Sequence, residues 1–124
     1  MNKNRPVNLD LTTIKLPITG FASFFHRVSG IFLFAGAAVL LWMLDSSLDS
    51  QESFAAVRDA SANPVFKVVL WAVLSALAYH TVMGLRHLMM DCGVGESLEG
   101  GKRGATIAFA VAIVLIALIG VWVW

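Results

Sequence analysis

The chain has 124 residues, of which 58% are hydrophobic and 14% charged. Soluble domains carry about 25% charged residues, so a water-soluble globular protein is excluded, and a net charge of +1 leaves no electrostatic footprint for nucleic acid. One cysteine, Cys92, cannot make an intrachain disulfide, and the whole length, 1–124, is read as one membrane domain.

An N-terminal segment of about 1–20 is expected on the cytoplasmic side. It is not read as a signal peptide, because the apolar run after it is too long and lacks a small-residue cleavage site. The first span is expected at about 21–44, ended by Asp45, Ser46, Ser47 and Asp49. A short surface helix over Gln51 to Ala60, with Phe54 and Val57 on one side, is expected next. Asn63 followed by Pro64 is a helix start: Asn can cap, and Pro at the first helical position loses no needed hydrogen bond. The second span is expected at about 64–90. Gly93 to Gly104 holds five glycines and four charges and reads as a flexible loop outside the membrane. The third span is expected at about 104–124. Its residues carry no polar chemistry, so it reads as a structural helix. Each apolar run is long enough to cross about 30 Å of hydrocarbon. The fold class is therefore all-α integral membrane, with three transmembrane helices running up, down and up.

Basic residues set the orientation. Lys3, Arg5, Lys15 and Arg27 lie before or at the mouth of span one, and Arg86, Lys102 and Arg103 flank the second break. The positive-inside rule places the N-terminus and the second loop in the cytoplasm. Trp42, Trp71, Trp122 and Trp124 fall at the opposite ends of their spans and form an aromatic belt at the other interface. In a bacterium this makes a multi-pass inner-membrane protein with a periplasmic C-terminus.

Two groups of polar residues sit where a membrane makes them costly. At the mouth of span one, Ser23, His26, Arg27 and Gly30 follow at i, i+3, i+4 and i+7, on one helix face. A serine hydroxyl and an arginine fork just inside a membrane can bind a carbonyl or carboxylate. Each alone has a bland reading: Arg27 as a snorkelling anchor, His26 as an interfacial side chain, Ser23 bonded back to its own helix. The functional reading rests on their shared face and on Arg86 and His87 at the same depth. In the second group, His80 lies within the uncharged run Val68 to Leu85, about 9 Å inward from Arg86 by helix rise. It is either a neutral histidine bonded to a neighbouring helix or an axial ligand of haem iron, which neutral imidazole suits. Gly84 on the same face leaves room for a porphyrin, with Arg86 and His87 where propionates would emerge. Met83, Met89 and Met90 are read as filler, Asp91 as the membrane boundary in preference to a proton carrier near a quinone site, and Cys92 as having no special role.

The stretch Ser23 to Gly30, SFFHRVSG, matches the pattern S-x-x-H-R-x-S-G, and His80 to Asp91, HTVMGLRHLMMD, carries H-x-x-x-G-x-R-H. With RPVNLDL at Arg5 to Leu11 and LPIT at Leu16 to Thr19, the chain resembles the cytochrome b membrane-anchor subunits of succinate dehydrogenase over nearly its whole length. The resemblance implies one half of a two-subunit haem-binding helix bundle. It implies one haem b, with His80 as an axial iron ligand, and ubiquinone as substrate, bound by Ser23 and Arg27. His26, Arg27 and His87 then belong to the haem propionate region. The implied partners are a second small membrane-anchor subunit, an iron–sulfur subunit, a flavoprotein subunit that oxidises succinate, and membrane lipid. The chain itself does no carbon chemistry.

One expectation follows from the residues alone. Only one histidine lies at membrane depth, so a bis-histidine haem takes its second ligand from another polypeptide. Three helices also enclose a haem less readily than four. Two other functions stay open: the anchor of a menaquinone-linked fumarate reductase, and a small transport or assembly subunit that uses His80 and Arg27 as a proton or anion relay.

Overall fold

The computed structural model describes Asp10 and residues 13–124. The lead-in Arg5 to Leu11 lies outside these residues except for Asp10, as do Lys3 and Arg5. Four helices follow: α1 (Ile18–Asp49), α2 (Gln51–Ser61), α3 (Pro64–Asp91) and α4 (Leu98–Val123). Among the described residues all regular structure is helical. α1, α3 and α4 are each long and apolar enough to cross a membrane, and the architecture is a helical membrane bundle.

The helix starts follow local chemistry. Ser50 and Ser53 form a reciprocal capping box at the head of α2: the Ser53 N–H donates to Ser50 Oγ at 3.1 Å and the Ser50 N–H to Ser53 Oγ at 2.9 Å. Asn63 Oδ1 accepts from the Val65 N–H at 2.9 Å, with Pro64 opening α3. Ser97 Oγ accepts from the Gly100 N–H at 3.0 Å at the start of α4.

Two helix bounds differ from the sequence expectation. α1 does not stop at Leu44 but runs through the polar residues to Asp49, where Ser50 turns extended (φ −156). α4 begins at Leu98, so Gly100, Gly101 and Gly104 are helical rather than part of a flexible loop. The connection spans residues 92–97, and within it Gly93 and Gly95 take φ values of 84° and 78° that favour glycine. Glycine weakens an isolated helix, but here side chains at Gly100 and Gly101 would meet the Gly95–Ser97 turn and Thr19, and one at Gly104 would meet Arg86.

The registers are antiparallel. A side chain at Gly36 would meet Val73 and one at Gly30 would meet His80, while Tyr79 Oη donates to the Ala22 carbonyl at 3.2 Å. Between α3 and α4, Trp71 Nε1 donates to the Ile116 carbonyl at one end, and Arg86 reaches the Gly101 carbonyl at the other. α3 thus packs on both α1 and α4, which also touch each other. The three helices meet at a small core of Ala22, Met83, Ala105 and Ala108, against which Tyr79, Val82 and Phe109 pack. Met83 is the largest fully buried side chain, filling the junction between alanines. Most other apolar side chains are exposed, Phe34 at 88% and Ile31 at 74% among them, as expected of surfaces meant for lipid or another membrane chain.

Candidate functional site

The polar centre lies between α1 and α3. His80 stacks on His26, their ring centroids 4.1 Å apart and the planes 18° apart. His87, two turns along α3, tilts toward His26 at 5.1 Å. The three imidazoles, spread over two helices in the sequence, therefore form one cluster. His26 and His80 lie face to face and His87 is tilted by 53° against His26. No group of three His, Cys, Asp or Glu among the described residues is arranged to hold a bare metal ion.

The hydrogen bonds around His80 fix its tautomer. Its Nδ1 lies 3.1 Å from the His26 carbonyl oxygen and 3.0 Å from Ser29 Oγ. The carbonyl can only accept, and Ser29 spends its one proton on that same carbonyl at 2.7 Å. Nδ1 must therefore carry the hydrogen and share it between the two oxygens. Among the described residues Nε2 has no hydrogen-bond partner, so its lone pair is free. An imidazole held by Nδ1–H against a carbonyl, with a bare Nε2, is the arrangement in which histidine binds a metal. The close approach needs Gly30, where a Cβ would sit 3.2 Å from His80 Cε1.

The remaining sequence candidates divide. His26 and His87 join His80. Ser23, one turn before His26 on α1, is half-buried, and Arg27 is exposed at the edge of the seam. The two are brought to the same end of α1 as the cluster but make no hydrogen bond to it. The face α1 turns to α3 is Ala22, His26, Ser29 and Gly36, displaced by roughly a quarter-turn from the expected stripe.

Two expectations change. Arg86 does not join the imidazoles: it is 7% exposed and donates from a terminal nitrogen to the Gly101 carbonyl at 3.1 Å, toward α4. The reason is local, since the glycines of α4 offer an approachable backbone carbonyl at its level. The space beside Gly84 is taken by His26, whose Nε2 would lie 3.4 Å from a Cβ there. That Nε2 is buried and has no partner among the described residues, so the His26 ring marks a polar spot with hydrogen-bonding capacity to spare. Sequence reasoning gave Ser29 no role, although its place three residues after His26 put it on the same face.

The chain matches the family model "Succinate dehydrogenase/Fumarate reductase transmembrane subunit" over residues 1–119. It is 39% identical to the succinate dehydrogenase cytochrome b556 subunit of Coxiella burnetii, over 100% of both chains. It is 31% identical to that of Paracoccus denitrificans, covering 93% of this chain and 88% of the other. It is also 35% identical to the succinate dehydrogenase cytochrome b560 subunit of Reclinomonas americana, over 80% of this chain and 72% of the other. A match of this extent, on a bundle of three membrane-length helices, makes the chain a member of the succinate dehydrogenase/fumarate reductase transmembrane-subunit family, as a cytochrome b membrane anchor of succinate dehydrogenase.

Proposed function

We propose that this subunit binds one haem b, shared with a second small membrane anchor, and helps build the site where ubiquinone receives electrons from succinate oxidation. The observation that carries the reading is the pinned imidazole of His80, with Nδ1–H held by the His26 carbonyl and Ser29 and Nε2 left bare. The donor set fits a haem: one neutral imidazole at membrane depth, with a second imidazole, His87, and the unpartnered Nε2 of His26 toward the chain's basic end.

In this reading His80 would hold the haem iron from this chain, and the partner anchor would supply a second ligand. His26, Arg27 and His87 serve the propionate region, where N–H donors and a positive charge match carboxylates. Ser23 orients the quinone ring by a hydrogen bond to a carbonyl oxygen. Arg27 offsets the negative charge that builds on the ring as it is reduced. Haem b, when bound, supplies a one-electron redox centre whose electronics the surrounding residues tune. The iron–sulfur subunit and the succinate-oxidising flavoprotein dock at the cytoplasmic face, and the subunit resides in the bacterial inner membrane with its N-terminus cytoplasmic and its C-terminus periplasmic. The basic ends of α1 and α3 and the tryptophans at the opposite end support that orientation.

The test is the reduced-minus-oxidised spectrum of the purified complex. His80→Ala is expected to remove most of the b-type absorbance; an unaltered band would eliminate this residue as a ligand. For the quinone site, Arg27→Leu is expected to keep succinate oxidation with an artificial dye but slow ubiquinone reduction about tenfold, the loss of one charge-assisted hydrogen bond. Equal ubiquinone rates would end that assignment.

A further inference from the structure

We infer that Ser29 is a positioning residue for His80, holding the imidazole tautomer and orientation and setting the electron richness of its free nitrogen. The inference rests on the reading of His80 as an iron ligand and adds a residue and a measurable property to it.

Three features carry it. First, Ser29 is buried, at 7% exposure, in a seam where a hydroxyl without partners costs free energy. Second, its hydroxyl proton is committed to the His26 carbonyl three residues back, at 2.7 Å. Such a bond to the preceding turn is a common resting place for a helical serine; here it turns the oxygen lone pairs outward, toward α3. Third, the group in front of those lone pairs is His80 Nδ1, at 3.0 Å. Ser29 therefore acts only as an acceptor toward the ring. It strengthens the hold of the His26 carbonyl, which by itself would leave the imidazole free to pivot about one bond.

The consequence is electronic as well as geometric. An imidazole that donates Nδ1–H to an acceptor becomes a more basic ligand at Nε2. A more basic ligand favours the ferric over the ferrous state. Removing one of two acceptors makes the ligand poorer and favours reduction. Ser75, whose hydroxyl is also buried but has no hydrogen-bond partner among the described residues, is the internal control: it is a serine with no part in holding His80.

The test is potentiometric titration of the haem in the intact complex, with Ser29→Ala, Ser29→Thr, Ser75→Ala and His80→Ala. Ser29→Ala is expected to shift the ferrous-to-ferric ratio at a fixed poise about threefold toward ferrous, an upward shift of about 30 mV at 59 mV per tenfold for one electron. Ser29→Thr keeps the hydroxyl and is expected to restore the native value. Ser75→Ala is expected to change nothing. A haem lost in Ser29→Ala but regained in Ser29→Thr supports the assignment equally. A native potential in Ser29→Ala, or haem loss in both Ser29 variants, overturns it and leaves His80 as ligand. An undiminished haem spectrum in His80→Ala overturns both this assignment and the reading beneath it.

Discussion

The two seams of the bundle share one helix and are built from opposite materials. Where α3 meets α1, imidazoles and hydroxyls are crowded together: His26, His80 and His87 with Ser29 and Tyr79. Where α3 meets α4, polar side chains are few: Ala105, Ala108 and Ala112 are buried, Arg86 reaches a backbone carbonyl, and an apolar cavity of about 400 Å³ opens beside it. Within a membrane, close packing of small residues holds helices together with no hydrophobic drive from water. The α3–α4 seam is therefore a clamp. It fixes the helix that carries His80 and leaves the opposite seam able to hold costly polar groups for chemistry. Polar clustering and small-residue packing occupy different faces of the same helix.

That separation can be broken experimentally. Ala105 is fully buried, so Ala105→Leu is expected to destabilise the purified complex by about 3 kcal/mol through overpacking. Thermal inactivation would report it, while the intact fraction keeps its native haem spectrum. Arg86→Ala removes a buried charged hydrogen bond to Gly101 and is expected to cost about 2 kcal/mol, again with the spectrum preserved. A spectral change of the His80→Ala kind would mean that Arg86 belongs to the polar seam after all. The smallest effect is expected from Trp71→Phe, which deletes the indole bond to the Ile116 carbonyl for about 0.6 kcal/mol in the same stability measurement.

Much of this was legible in the sequence, and the exceptions have a common cause. The three apolar runs, the Asn63–Pro64 start and the short α2 all followed from local rules of length, capping and charge. His80 stood out because a lone ionisable group in an uncharged run has few reasons to be there. What stayed hidden depended on a neighbour. Gly100, Gly101 and Gly104 carry loop propensity, and only the packing of α4 on α3 makes them helical. The direction of Arg86 was undetermined, because a long side chain at a helix end can serve either seam. The role of Ser29 needed the position of an α3 nitrogen fifty-one residues away. The expected stripe of Ser23, His26, Arg27 and Gly30 lies about a quarter-turn from the face that carries Ser29.

One of the two tethers on His80 is a peptide carbonyl, not a side chain. Residue 26 thus performs two separable tasks: its ring stacks on His80, and its main chain moors it. Replacing the ring changes the first and leaves the second intact, so variation at this position alters the chemistry around the imidazole without casting the imidazole adrift.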